Sequence, residues 1–136
     1  MVVAVDFDGT LDESRWPGFG PPNVQLFEWL KLHQQNGDKV ILWSCREGDR
    51  LDEAVKYCNE QGLFFDAVNE NLDFLVAKYG SDSRKIHADL YIDDKCADRA
   101  RFGLPYHPGN VSETTASNMA SIIAERRKAR GRKRHE

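Results

Sequence analysis

An apolar run that ends abruptly in two acids opens the chain and constrains its fold more than any other stretch. Residues 2–11 read VVAVDFDGTL, so four small or β-branched residues precede Asp6, and Asp8 follows it with Phe7 between them. Such a run is typical of a buried central strand in a parallel sheet. Because side chains alternate along a strand, Asp6 and Asp8 are expected to face one crevice while Phe7 packs the other way. Desolvated carboxylates are costly without a cation or hydrogen bonds, so this strand predicts a charged site at its end.

The next residues suit an anion beside that charged site. Gly9 lets the backbone turn sharply, and its amide together with that of Thr10 is expected to cradle a phosphate. A hard cation that prefers oxygen ligands fits the neighbouring carboxylates. The alternative is a surface Asp-Gly turn capped by Thr10, and only the rest of the chain distinguishes the two interpretations.

Length and composition indicate a single domain. The chain has 136 residues, enough for a sizeable core. No apolar run approaches the ~18 residues of a membrane span, and no secretory signal precedes the first strand, so we expect a cytoplasmic protein without a membrane partner. Three cysteines without a C-x-x-C pair argue against a disulfide framework and against a zinc site.

Charge is distributed unevenly along the chain. Residues 1–124 carry 12 Lys and Arg against 20 Asp and Glu, whereas residues 125–136 carry seven against two. We therefore expect one folded domain over 1–126 and a basic, disordered tail over 127–136. The tail can contact nucleic acid weakly through phosphates, or simply solvate the terminus, because no aromatic residues interleave its charges.

Strands and helices alternate after the first strand. The patterns predict strands over 39–43, 63–68 and 89–92, helices over 24–35, from 49 or 50 to 61, over 72–79 and over 112–127, and a helical turn over 96–101. This order predicts an α/β fold, a three-layer Rossmann-like domain with a mainly parallel central sheet and helices on both faces. The Pro- and Gly-rich segment 12–22 leaves room for only a short flap, in which Trp16 and Phe19 either cover the site or pack against the body.

Polar residues follow the predicted strands where each one ends. Ser44 follows the second strand, and Asp93 and Asp94 follow the fourth. The ligand crevice of an open parallel sheet lies outside the carboxyl ends of its strands. We therefore expect these residues to meet Asp6 and Asp8 at one edge of the sheet.

Those residues offer one candidate for each part of phosphoryl transfer. Asp6 can act as the nucleophile that forms an aspartyl-phosphate, and Asp8 can act as the general acid and base. Ser44 or its amide, with Lys85, can bind the transferring phosphate. The candidate substrate-binding residues are Gly9, Thr10, Cys45 and Arg46, and the candidate Mg²⁺ ligands are Asp6, Asp8, Asp93 and Asp94.

With these motifs in order, residues 1–102 resemble the haloacid dehalogenase (HAD) superfamily. The D-x-D-G-T motif stands at 6–10, the strand-end serine motif at 41–44, the lysine motif at Lys85 and the acidic motif at 91–94. Lys78 is the alternative motif lysine, but its helical pattern favours a solvated position. The resemblance implies a Rossmann-like core, a Mg²⁺ requirement and hydrolysis of a phosphomonoester, either a small molecule or a nucleic-acid end.

Most members of that superfamily carry a cap domain, for which this chain has little or no room. A capless site suits large substrates or relies on a homo-oligomer to close it. Two other functions remain open: a nucleic-acid-binding or accessory protein that keeps the fold without turnover, and a phosphotransferase or mutase. The intact pair of Asp6 and Asp8 argues against the first, and the openness of the site argues against the second.

Overall fold

The computed structural model describes residues 1–104 and 127–128. The chain divides into two compact units, Met1–Asp98 and Arg99–Glu136. In the second unit, the amide of Phe102 donates to the carbonyl of Arg99 in a turn, and residues 127–128 are helical and exposed. The predicted helix over 112–127 and the predicted tail over 127–136 otherwise lie outside the described residues. The predicted domain boundary at 126 also lies there and stays a prediction.

The first unit contains a parallel sheet and three helices. Its elements are β1 (Val2–Val5), α1 (Val24–Gln35), β2 (Lys39–Leu42), α2 (Gly48–Glu60), β3 (Ala67–Val68), α3 (Asp73–Tyr79) and β4 (Leu90–Ile92). The strands are all parallel, in the order β3-β2-β1-β4. The predicted α/β, Rossmann-like fold is therefore confirmed. No helix within the described ranges is long and apolar enough to cross a membrane.

The alternation of side chains along β1 builds a core on each face of the sheet. Val3 and Val5 pack on one face in a cluster that includes Phe27 and Leu30 of α1 and Ala54 and Cys58 of α2. Ala4 points to the other face, into a cluster with Ile41, Leu72 and Ile86, against which Leu75 of α3 packs. The sheet is therefore covered on both faces, as the apolar run of β1 predicts.

The strand register aligns the ends of three strands. Val5 pairs with Leu42 of β2 and with Ile92 of β4. The pairing continues for one step, because the amide of Asp6 donates to the carbonyl of Ile92 at 2.9 Å. The residues that follow β1, β2 and β4 therefore lie at the same edge of the sheet.

Two predicted elements differ from those observed by more than a residue or two at their ends. The third strand covers only Ala67–Val68 rather than 63–68, because the amide of Leu63 donates to the carbonyl of Cys58 and continues the exit from α2. No helical turn covers 96–101; instead the amide of Cys96 donates to the carbonyl of Asp93, so the chain turns immediately after β4.

The segment between β1 and α1, residues 12–22, forms an ordered loop that we call the flap loop. Asp12 is buried and accepts hydrogen bonds from the amides of Gly9 at 3.3 Å and Gly20 at 2.9 Å. Phe19 packs edge-on against Phe7, with their ring centroids 5.6 Å apart, whereas Trp16 stays exposed. One aromatic residue of the loop therefore packs against the core, and the other is open to solvent.

Candidate functional site

Three carboxylates meet at the carboxyl edge of the sheet. Asp6 follows β1, and Asp93 and Asp94 follow β4; each offers one oxygen, and these oxygens all lie within 4.8 Å of one another. Oxygen ligands in this number suit a hard divalent cation such as Mg²⁺. We call these three residues the acidic group. Asp8 is absent from it, although the sequence predicted Asp8 as a metal ligand.

Thr10 ties the two halves of the acidic group together. Its Oγ1 lies 3.2 Å from Asp6 Oδ2 and 3.4 Å from Asp94 Oδ1, and it accepts a hydrogen bond from the amide of Asp94 at 3.0 Å. Thr10 is also buried. The hydroxyl is therefore committed to positioning carboxylates, which leaves it little capacity to bind substrate.

Gly9 permits the close approach of the two strand ends. Its φ is +78°, and a Cβ at this position would lie 2.6 Å from Asp94 Oδ2. The predicted anion cradle differs from the structure, however, because the amide of Gly9 donates to Asp12 and that of Thr10 donates to the carbonyl of Phe7 at 3.1 Å. These donors are used inside the turn and do not face a ligand.

Burial and crowded negative charge both act on Asp6. Burial first, then the neighbouring charge of Asp93 and, less, that of Asp94, raise the pKa of Asp6 to about 6, against hydrogen bonds from the Phe7 backbone and Thr10 that lower it. A divalent cation among these oxygens would compensate that charge. The donor set therefore fits a metal ion, which Asp6, Asp93 and Asp94 would hold.

Asp8 is held by a different partner. Arg46 Nε donates to Asp8 Oδ2 at 2.9 Å, and Arg46 Nη2 donates to Asp8 Oδ1 at 2.8 Å. The Arg46 side chain is 1% exposed, whereas that of Asp8 is 28% exposed. Asp8 therefore keeps a path to solvent while both of its oxygens are fixed in orientation.

Arg46 is buried among aromatic rings. Its guanidinium carbon lies 5.0 Å from the ring centroid of Phe7, 4.7 Å from that of Trp16 and 5.1 Å from that of Phe19. Its remaining donors reach the carbonyls of Pro17, Gly18 and Arg50. Arg46 was predicted to contact substrate, but the flap loop covers it, and a buried guanidinium needs this many partners. Among the predicted catalytic residues, the guanidinium of Arg46 donates to Asp8.

Ser44 is positioned by a residue that the sequence analysis did not single out. The amide of Ser44 donates to Asn69 Oδ1 at 2.8 Å, and Asn69 Nδ2 donates back to the carbonyl of Ser44 at 2.9 Å. Ser44 Oγ accepts from the amide of Arg46 at 3.1 Å, so its hydroxyl proton remains available to a ligand. The hydroxyl of Ser44, rather than its amide, is the phosphate-binding candidate. Its neighbour Cys45 is exposed.

Neither candidate lysine joins the acidic group. Lys85 Nζ lies 5.3 Å from the ring centroid of Tyr91, and Lys78 Nζ lies 5.3 Å from that of Tyr79. Within residues 1–104, neither lysine forms an ion pair with an acid. Lys85 precedes β4, whereas the acids follow it, so the strand itself separates them along the chain.

Asn69 and Asp12 are the site residues that sequence reasoning missed. Asn69 directly follows β3 and has a positive φ of 53°, a conformation that asparagine tolerates better than most residues. Its place after a parallel strand was the available signal. Asp12 gave no comparable signal, because an acid in a turn-rich segment is normally solvated.

Comparisons with known proteins bear on the family of the chain. A solved structure, described as that of a conserved protein coded by a locus of Bacteroides thetaiotaomicron, is 40% identical in sequence. The match covers 87% of this chain and 91% of that one, with a TM-score of 0.66. This chain belongs to the same protein family. No family model matches the chain, and no curated protein does. The description of the Bacteroides protein states no activity.

Proposed function

We propose that the protein is a Mg²⁺-dependent phosphatase of the HAD type, which hydrolyses a phosphomonoester through an aspartyl-phosphate on Asp6. The observation that supports this most strongly is the convergence of Asp6, Asp93 and Asp94 at the strand ends, with a second carboxylate, Asp8, held separately two residues from Asp6. Two carboxylate environments with different partners suit two chemical roles.

Asp6 is the proposed nucleophile because it is the half-buried member of the acidic group. Its carboxylate oxygen would form a bond to phosphorus while the bond from phosphorus to the leaving oxygen breaks. A Mg²⁺ ion held by Asp6, Asp93 and Asp94 would neutralise charge on the phosphate and on these carboxylates. The Thr10 hydroxyl contacts the carboxylates of both Asp6 and Asp94 and holds them close together.

Asp8 is the proposed general acid and base. It would donate a proton to the leaving oxygen and later accept one from the water that attacks the aspartyl-phosphate. Its two oxygens are oriented by Arg46, and its partial exposure leaves room for a substrate oxygen. The Ser44 hydroxyl is the proposed donor to a phosphate oxygen, and Lys85 is proposed as its partner only if the side chain swings away from Tyr91.

The deciding experiment is phosphate release from a panel of monophosphates and end-phosphorylated oligonucleotides, with Mg²⁺ or with EDTA. Asp6→Asn serves as the blank, and Asp52→Asn, an exposed acid on α2, serves as the matched control. We expect release that requires Mg²⁺, is lost in Asp6→Asn and is retained in Asp52→Asn. Release that persists in Asp6→Asn would remove Asp6 as the nucleophile.

The second candidate is a binding protein of the same fold without turnover. It is favoured by the observation that, within residues 1–104, neither candidate lysine forms an ion pair with Asp6, Asp93 or Asp94. Mg²⁺ binding without phosphate release across the panel would support it.

The three cysteines are free thiols, which supports the cytoplasm as the proposed compartment.

A further inference from the structure

The flap loop presents one large aromatic side chain to solvent beside the candidate site. Trp16 is 60% exposed, whereas Phe19, three residues later, is turned inward against Phe7 and Tyr57. Burial of both aromatic residues would have removed more apolar surface from water. The loop therefore keeps the indole ring of Trp16 open to solvent.

The indole ring is connected to the site through a single guanidinium group. Arg46 lies against one side of the Trp16 ring, with its guanidinium carbon 4.7 Å from the ring centroid, and the same group donates to Asp8 at 2.8 Å. A cation over an indole face is attracted to it, which orients the ring. The uncovered part of the ring thus lies one side chain beyond the proposed acid and base.

The loop that carries Trp16 is held in place on several sides. Arg46 donates to the carbonyls of Pro17 at 3.4 Å and Gly18 at 3.2 Å, directly after Trp16. Asp12 anchors the far end of the loop through the amide of Gly20. An aromatic group ordered before binding loses little conformational entropy when a ligand stacks on it.

We propose that Trp16 is a stacking platform for a nucleobase, so that the substrate is a nucleoside monophosphate or the phosphorylated end of a polynucleotide. The inference rests on the proposed function and narrows its substrate class. A base is joined to its phosphate through a sugar, so a phosphate at Asp6 leaves the base free to reach past Asp8 and Arg46. The ring of an aryl phosphate is joined directly to the leaving oxygen, which would hold it beside Asp8. Stacking on an aromatic side chain is also tolerant of base identity.

The test compares kcat/KM for AMP and for ribose 5-phosphate, which carries a hydroxyl in place of the base, in the same protein variant. We expect the wild type to prefer AMP by about tenfold or more, and Trp16→Leu to lose that preference. Taking the ratio within each variant cancels any effect transmitted through Arg46 to Asp8. Phe64→Leu is the matched control, because Phe64 is 64% exposed and precedes β3 at the other end of the strands.

Three results would overturn the inference: equal kcat/KM for the two compounds in the wild type, a preference that survives Trp16→Leu, or the same Trp16 dependence with phenyl phosphate. Binding of AMP with Mg²⁺ to Asp6→Asn and to the double variant Asp6→Asn, Trp16→Leu, measured by isothermal titration calorimetry, separates this inference from the proposed function. Trp16-dependent binding without turnover by the wild type would keep the stacking site and reject the phosphatase. If AMP is neither bound nor turned over, the stacking site is rejected.

Discussion

Arg46 donates two parallel hydrogen bonds to Asp8, 2.9 Å and 2.8 Å long, although the two residues are 38 positions apart in the chain. The guanidinium is buried under the flap loop, and the carboxylate is partly open to solvent. This pair connects the turn after β1, the loop after β2 and the flap loop in one contact. The orientation of the proposed acid and base therefore depends on a cation that is itself buried.

Arg46→Met should therefore lower kcat strongly while changing KM little, because it releases Asp8 without altering the acidic group. It should also destabilise the fold by about 3 kcal/mol, since it removes one partner of a largely buried pair. Arg46→Lys keeps the positive charge but cannot donate two parallel hydrogen bonds to Asp8. It should therefore recover stability better than activity. Denaturant unfolding and steady-state kinetics provide the two measurements.

A double-mutant cycle with Asp8→Asn separates positioning from general destabilisation. We expect the effects of Arg46→Met and Asp8→Asn on the free energy of unfolding to be non-additive by about 1 kcal/mol or more, because each removes the same contact. Additive effects, or a kcat that survives in Arg46→Met, would show that the pair does not position Asp8.

Thr10→Val should weaken Mg²⁺ binding by about tenfold or more, because it deletes the hydroxyl that holds Asp6 and Asp94. Thr10→Ser keeps the hydroxyl and should bind Mg²⁺ nearly as the wild type does. Isothermal titration calorimetry of both variants measures the difference. Equal affinities for the valine and serine variants would mean that the Thr10 hydroxyl does not position the metal ligands.

Gly9→Ala and Gly37→Ala form a matched pair of substitutions. The two glycines have similar positive φ values, +78° and +92°, so each alanine should cost about 1 kcal/mol of stability through backbone strain. Only at Gly9 would the new Cβ meet a side chain, Asp94 Oδ2 at 2.6 Å; at Gly37 nothing lies within 4 Å. Mg²⁺ affinity should therefore fall in Gly9→Ala and stay unchanged in Gly37→Ala. A comparable loss of Mg²⁺ affinity in both variants would mean that backbone strain alone causes it.

The sequence predicted best what depends on neighbouring residues. The apolar run before Asp6 and the helical pattern over 24–35 match β1 and α1, because the spacing of apolar residues indicates both the type of element and its buried face. The meeting of Asp6 with Asp93 and Asp94 followed from the rule that parallel strands place their carboxyl ends at one edge.

The roles of Thr10 and Arg46 could not be predicted in the same way, because they depend on contacts that no local pattern encodes. Thr10 reaches Asp94 across 84 positions, so its hydroxyl looked free for substrate. Arg46 follows a strand in a polar stretch, where an arginine is normally solvated. Its burial comes from the packing of the flap loop, whose Pro and Gly content predicts turns but not what they cover.

The raised pKa of Asp6 predicts how pH acts on the metal-free protein. The pKa is about 6 in the folded protein against 3.8 for an ordinary aspartate, so the folded state binds more protons than the unfolded state between these values. The contribution of Asp6 to stability therefore falls as pH rises from about 4 to about 6, and it is lost above the folded pKa. Mg²⁺ competes with the proton for the same carboxylate, so its stabilising effect should grow over that interval.

Melting temperatures of the wild type and Asp6→Asn in EDTA, measured across that interval, test this dependence. Groups other than Asp6 titrate in both proteins and cancel in the difference between the two. We expect Asp6→Asn to gain stability relative to the wild type as pH rises, and added Mg²⁺ to reverse the order by stabilising only the protein with an intact acidic group. Parallel curves in EDTA would mean that neither burial nor the charges of Asp93 and Asp94 shift the protonation of Asp6.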